Sequence, residues 1–338
     1  MSIERPLTLP QEEQEQRPAP APTTGGGSLP ERVWRYLRYI LRNIRENPIL
    51  YLMVLPGVLY FLVFKYGPMY GATVAFKDYR VLDGIVGSPW VGFEHFETIF
   101  NSFYFGNVLA NTLIISSFKI LFSNPAAILM ALLLNEVRTQ WFKRSVQTVS
   151  YLPHFLSWVV VSGILFALLS PSNGLINDFI RNTGGKPIAF LSDPNWFRQV
   201  LIASDMWKSA GFGAIIYLAA MSNISPTLYE AAAVDGASRW QRIWHITLPG
   251  IMPVIVLVTL IDIGYILNAG FEQVFVLYSV PVYSVGDIID TWVYRRGLES
   301  FQISVASAMG LFKGVVGLVL IVSANWAARR LTGSGIFN

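Results

Sequence analysis

Five ionisable side chains stand inside otherwise apolar stretches of this sequence: Lys119, Asp205, Lys208, Asp262 and Lys313. Charges in such surroundings are costly, so they face a polar interior, pair with one another or mark the path of a polar solute. Asp205 and Lys208 lie three residues apart, a spacing that puts both on one helix face, where they can pair or meet a solute. Asp262 can bridge to another element. Lys119 and Lys313 have no acidic neighbour within their own stretches, which makes them the better candidates for a polar pathway, one suited to an acidic solute. Other chemistry is poorly provided for. His95, His154 and His245 are far apart and form no HxxxH or HExxH spacing, so no metal site is expected of them. The absence of cysteine removes disulfides, thiolate nucleophiles and cysteine-ligated metals. No GxxxxGK[ST] loop is present to cradle phosphate, and "TGGKPIAF" (183–190) reads as a turn, so the chain is expected to be no ATPase and no enzyme.

A second concentration of functional side chains is "YEAAAVDGASRWQRIWHITLPG" (229–250), charged and helical between apolar blocks. It reads as two short helices. The first has Ser225 as N-cap and Pro226 in its first turn. Gly236 then permits a turn that other residues resist. The second starts at Ser238, with Gln241 three residues on as a capping box, and repeats Trp240, Ile243, Trp244 and Leu248 at helical spacing. Three alanines keep the first helix thin, and tryptophan and arginine are common interface anchors. Docking into a partner's groove and packing as an elbow beneath the chain's own bundle both fit.

The elements that carry these residues are membrane spans. The 338 residues are 53% hydrophobic and 14% charged, against about 25% charged in soluble domains. A hydrocarbon core about 30 Å thick needs roughly 20 apolar helical residues. Six stretches qualify, near 48–70, 106–135, 146–170, 198–221, 250–268 and 303–326, the fifth being the shortest and carrying Asp262. This predicts an all-α integral membrane protein of six transmembrane helices. Ahead of them, residues 1–30 hold six prolines, a polar acidic run and three consecutive glycines, and predict a disordered tail without a signal peptide. Residues 31–47, "ERVWRYLRYILRNIREN", place Arg32, Arg35, Arg38, Arg42 and Arg45 among Val33, Leu37, Ile40, Leu41 and Ile44. That pattern predicts a basic amphipathic helix suited to an anionic membrane surface. The membrane-spanning block is then 48–331, with the charged loop at 222–249 and a short tail at 332–338.

With the N-terminus inside, the inner flanks carry 12 basic and 5 acidic residues, and the outer loops 8 and 10. The positive-inside rule therefore predicts both termini in the cytoplasm and the 222–249 loop beside them. The net charge of +4 reads as membrane-flanking charge rather than a nucleic-acid footprint. The outer loops include the aromatic "WVGFEHFETIF" (90–100) and residues 270–297, which suit either a pore-mouth cover or an interfacial belt. No internal repeat is evident.

The order Glu230-Ala231-Ala232, three residues ending in Asp235, then Gly236, nine residues, and Ile246-x-Leu248-Pro249 resembles the EAA motif of ABC importer permeases. The fuller loop, with "LLLNEVRTQWFKRSVQTVSYLPHFLSWVVVSG" (132–163), "LSDPNWFRQVLIASDMWKSAGFGAIIYLAA" (191–220), "GFEQVFVLYSVPVY" (270–283), "DTWVYRRGL" (290–298) and "GLFKGVVGLVLIVSANWAARR" (310–330), resembles the carbohydrate-uptake branch, in particular permeases for oligosaccharides derived from polysaccharides. The likeness spans roughly 45–331.

The resemblance implies a type I importer permease fold in the bacterial cytoplasmic membrane. It implies half of a pore completed by a second homologous permease, with two ABC ATPases, one on each EAA loop, and an extracytoplasmic solute-binding protein that delivers an oligosaccharide. ATP and Mg would be bound by the ATPases, leaving no cofactor in this chain. Residues 226–236 would be the coupling helix and 237–249 its tie to the fifth span. Trp158, Phe155, Tyr217 and Tyr265 could stack on sugar faces or simply pack and face lipid, and Lys119 and Lys313 would suit a uronate. Two other readings remain open at this point: an ion-coupled carrier using the buried lysines and aspartates as a relay, and an ABC permease for a non-sugar solute.

Overall fold

A computed structural model describes residues 29–332. The expected disordered tail lies outside the described residues except for Leu29 and Pro30, which begin a helix, and the expected C-terminal tail lies outside them except for Thr332. Among the described residues every regular element is helical, and extended backbone pairs only in a bridge between Lys77 and Trp90. The chain divides into two compact units at Gly71/Ala72.

The first unit contains α1 (Leu29–Glu46) and α2 (Pro48–Phe61). Asn47 breaks between them at φ −132°, and Pro48 starts α2, where its missing N–H is no loss. α2 continues through a π turn, Leu62–Tyr66, just ahead of Gly67 and Pro68. A proline ring clashes with the carbonyl four residues back, and the wider turn relieves that clash.

The second unit is built on α3 (Phe103–Glu136), α4 (Gln140–Tyr151), α5 (Trp158–Leu169), α6 (Leu175–Asn182), α7 (Pro194–Ser222), α8 (Pro226–Val234), α9 (Arg239–Gly264), α10 (Phe271–Leu277), α11 (Ile289–Tyr294) and α12 (Ile303–Thr332). α3 and α7 pack along most of their lengths, and α9 packs on α12. Small residues permit the approach. Gly213 faces Ala127, and a Cβ on Gly211 would lie 2.0 Å from the Ser150 carbonyl oxygen. Ala127, Ala131, Ala214, Tyr217, Met221 and Ile251 form one buried cluster between α3, α7 and α9.

Among the described residues four helices are long and apolar enough to cross a membrane: Pro48–Phe76, Phe103–Glu136, Arg239–Gly264 and Ile303–Arg330. Two bent pairs raise the number to as many as six. One pair corrects the third expected span. The stretch near 146–170 is not a single helix, because Gln140–Phe155 and Trp158–Leu169 meet at 103°. Pro153 sits in a 3-10 turn, Leu156 is extended, and Ser157 caps α5 by accepting from the Val160 N–H, 3.3 Å away. Apolarity alone gave no sign of that break.

Candidate functional site

The charged loop folds into a knuckle. α8 leaves α7 at 74°. Ser225 does not cap α8; its hydroxyl lies 2.7 Å from that of Thr227, and Pro226 takes the first turn. α8 ends in a Schellman motif, in which the Ala237 N–H donates to the Ala232 carbonyl (2.8 Å) and the Gly236 N–H to that of Ala233 (3.2 Å). Gly236 has φ +76°, yet a Cβ there would meet nothing within 4 Å, so glycine is needed for conformation and not for space. The capping box forms as expected: Ser238 N–H donates to Gln241 Oε1 (2.7 Å) and Gln241 N–H to Ser238 Oγ (3.3 Å).

The expected second short helix is not separate from the fifth span. It is the first turn of α9, which runs on through Pro249 and Pro253. A π turn at Ile243–Thr247 precedes Pro249 and absorbs the proline as at Pro68. Tyr229 Oη lies 2.9 Å from Thr247 Oγ1 and ties α8 to α9, so α8, the glycine turn and α9 form one hydrogen-bonded piece. Glu230, Ala231, Asp235, Gly236 and Pro249 are exposed, while Ala232, Ile246 and Leu248 are half-buried. Val234 (88%), Trp240 (71%) and Trp244 (64%) are largely exposed, so an elbow packed beneath its own bundle does not describe them.

A polar seam runs through the interior. Lys119 on α3 lies 3.5 Å from Asp205 on α7, and donates to the Ala269 carbonyl (2.8 Å) and to Gln273 Oε1. Gln273 Nε2 donates to the Leu201 carbonyl and to Ser204 Oγ, and Ser123 Oγ donates to Asp205. Gly270, at φ +88°, makes room for the lysine: a Cβ there would sit 2.7 Å from Nζ. One helix along, Asn124 Nδ2 donates to Asp262 at 2.8 Å, joining α3 to α9.

This geometry corrects four expectations. Asp205 pairs with Lys119 on the facing helix and not with Lys208 on its own, because packing of α3 on α7 brings the distant amine in. Lys119 is therefore a clamp with every donor direction used, not an unpartnered cation. Lys313 also has an acid, Asp290, at 2.5 Å across 23 residues of sequence. Tyr217, finally, is only 1% exposed in the α3/α7/α9 cluster, its hydroxyl without a partner among the described residues, and no sugar face can reach it within this packing.

The surroundings of Lys208 are what the sequence concealed. It is buried, and its Nζ donates to the His154 carbonyl at 2.6 Å and lies 5.5 Å from the Trp158 ring centre. The His154 ring stacks on Phe212 at 3.9 Å, with Phe155 edge-on to both. Lys208 makes no ion pair among the described residues. The 103° break between α4 and α5 collects this cation and these rings, with Phe155 73% exposed and Trp158 half-buried. Pro153 in "YLPHFLSW" was the only local signal of the break.

Lys313, Asp290, Asn268, Phe271 and Tyr294 line a groove of about 650 Å³. An adjoining groove shares Asn268 and Lys313 and adds Tyr265 and Gly310. The candidate pathway residues thus separate: Lys119 in the seam, Trp158 at the helix break, Lys313 and Tyr265 on one groove. The 270–297 segment is pinned and not a loose belt. Arg295 clamps Asp287 with two bonds (2.9 and 2.5 Å) and lies 4.6 Å from the Tyr283 ring centre. Burial opposes the Arg295 charge, but the bonds to Asp287 and Tyr278 prevail and hold its pKa above the ordinary arginine value. Among the described residues no group of three or more His, Cys, Asp or Glu could hold a metal.

Membrane-length helices packed around a clamped polar seam define a multi-pass membrane protein. The family model for the binding-protein-dependent transport system inner membrane component matches residues 123–333, and the chain belongs to that family, the permease subunits of ABC importers. It is 46% identical over 298 residues to the Polygalacturonan/rhamnogalacturonan transport system permease protein YteP of Bacillus subtilis (strain 168), covering 88% of this chain and 93% of the relative. Its fold is similar, with a TM-score of 0.81 and 44% identity over 87% of this chain and 99% of the other, to a solved bacterial ABC transporter involved in the import of the acidic polysaccharide alginate. A second structure, the bacterial alginate ABC transporter in complex with alginate pentasaccharide-bound periplasmic protein, matches with the same TM-score at 43% identity, covering 87% of this chain and 99% of the other. A permease of this family is a non-catalytic transport subunit, and the ATPase is a separate subunit. The ion-coupled carrier reading is thereby set aside.

Proposed function

We propose that this chain forms half of the translocation pore of a bacterial importer for oligosaccharides that carry uronic acids. Six spans with both termini in the cytoplasm place the 222–249 knuckle on the inner face. There Glu230, Ala231, Ala232, Asp235, Gly236, Ile246, Leu248 and Pro249 form the docking element for an ABC ATPase, which binds ATP and Mg. A second homologous permease completes the pore, a second ATPase serves it, and an extracytoplasmic binding protein delivers the sugar. The exposed Val234, Trp240 and Trp244 support docking, and the continuity of α8, turn and α9 supports transmission, since a push on the knuckle is carried into a membrane-length helix.

The observation that carries the acidic substrate is Lys208: a buried ammonium with no carboxylate partner among the described residues, in the helix break that holds the Trp158, Phe155, His154 and Phe212 rings. Rings supply faces for pyranose stacking, and the amine supplies the counter-charge for a uronate. The alginate and polygalacturonan carriers among the relatives support the same class, and they weigh against a non-sugar solute. Lys313, Asp290 and Tyr265 supply hydroxyl recognition rather than net charge. Uptake by the complete complex in proteoliposomes tests this, with labelled oligo-uronates against neutral oligosaccharides of equal length, each presented with its binding protein. ATP-dependent uptake of the oligo-uronates alone is expected. Uptake of neutral oligosaccharides at equal rate removes the acidic reading, and uptake without ATP removes the coupled reading.

A further inference from the structure

α1 is not used by any step above. Its described side chains divide cleanly around the helix. Trp34, Leu37, Ile40, Leu41 and Ile44 lie on one stripe, and each is exposed, Trp34 at 62%. Arg38, Arg42 and Arg45 lie along one side of the stripe, also exposed, with Arg42 bonded to Glu46 at 2.6 Å. Residues 29–47 carry five arginines and two glutamates. Inside the first unit no residue of Pro48–Phe61 is buried. α1 is joined to that membrane-length helix through the single residue Asn47.

We propose that α1 lies in the plane of the membrane, bound to an anionic phospholipid leaflet, and that it sets the depth of the α2 span. Covalent continuity places the end of α1 one residue from the membrane-length helix. A stripe about a third of the helix circumference wide is what an interfacial helix inserts. The arginines at its edge reach the headgroups with their stems along the acyl boundary. Their charge complements an anionic surface, at about 1 kcal/mol for each arginine near it. A span's tilt and depth are set by packing and by interfacial anchors, and in this unit α2 has only the anchor.

The natural chain has no cysteine, so single labels can be placed without background. Full-length chain with Leu41→Cys or Asn43→Cys, each carrying an environment-sensitive fluorophore, is assembled with its partner subunits in nanodiscs of phosphatidylglycerol and phosphatidylcholine. Two residues along a helix turn the side chain by about 200°. The Leu41 label is expected to be quenched by spin-labelled lipid and the Asn43 label by iodide. In discs of phosphatidylcholine alone, or with Arg38, Arg42 and Arg45 all changed to Gln, the surface-bound population relative to the detached one should fall about 100-fold, the product of roughly five-fold per arginine. A Leu41 label shielded from both quenchers overturns the proposal in favour of a protein partner on the stripe. A label equally open to iodide at both positions, or a contrast indifferent to lipid charge, overturns it outright. The lipid comparison on the wild-type arginines decides the matter even where the triple variant does not assemble.

Discussion

Gly236 offers the sharpest test of the knuckle. Its φ of +76° is a conformation an L-residue adopts only at a cost of about 1–2 kcal/mol, and no atom lies within 4 Å of a Cβ built there. Gly236→Ala therefore adds no clash, and its effect is purely conformational. Asparagine enters the left-handed region more readily than alanine and adds more bulk. If the ATPase grips the bent form only, straightening the turn competes with docking. One to two kcal/mol then weakens the assembly of permease with ATPase about 5- to 30-fold for Ala, with a smaller loss for Asn. The helix on either side should persist, because the capping box at Ser238 and the tie between Tyr229 and Thr247 do not involve Gly236. Binding of purified ATPase to permease in nanodiscs gives the affinity, and sugar-stimulated ATP hydrolysis gives the coupling. An Asn variant worse than Ala would mean that space and not backbone conformation governs the position. Unchanged affinity in both would mean that the turn is not part of what the ATPase holds.

Lys119→Met leaves the half-buried Asp205 carboxylate with Ser123 as its remaining side-chain donor, and should lower stability by about 1–3 kcal/mol in thermal or denaturant unfolding in detergent. Adding Asp205→Leu should recover most of that loss, and a single variant as stable as wild type would show that the seam is no clamp. Lys208→Gln should reduce uptake of oligo-uronates about 10- to 100-fold, the value of a charged hydrogen bond, while any neutral saccharide that is carried is unaffected. Equal loss for both substrates would reassign Lys208 to structure. Gly211→Val should prevent accumulation of folded chain, since its Cβ would lie 2.0 Å from the Ser150 carbonyl. Gly213→Ala, whose Cβ would lie 3.1 Å from the Ala127 Cβ and needs a shift of only a few tenths of an ångström, should be milder by expression and melting temperature.

The pattern of spans was legible where apolar runs were long, because a helix about 20 residues long is the same object in sequence and in space. α3 and α12 are such cases. The knuckle was legible because its signals are local: Gly236 fixes a φ and Ser238 reaches only to Gln241. What failed to show were contacts closed by packing. The i, i+3 rule pointed Lys208 at Asp205, but α3 delivers Lys119 to that carboxylate from 86 residues away, and Lys208 turns to the His154 carbonyl. The break at Leu156 was likewise hidden, since hydropathy counts apolarity and not direction. So the amino-acid order alone determined a helical membrane protein with a charged, glycine-turned loop between two of its helices. Tertiary packing alone decided which charges neutralise one another and which ammonium, that of Lys208, meets a backbone carbonyl instead of a carboxylate, because a charge in a low-dielectric interior is paired by whichever helix lies beside it, and that neighbour is set by how small residues let helices approach.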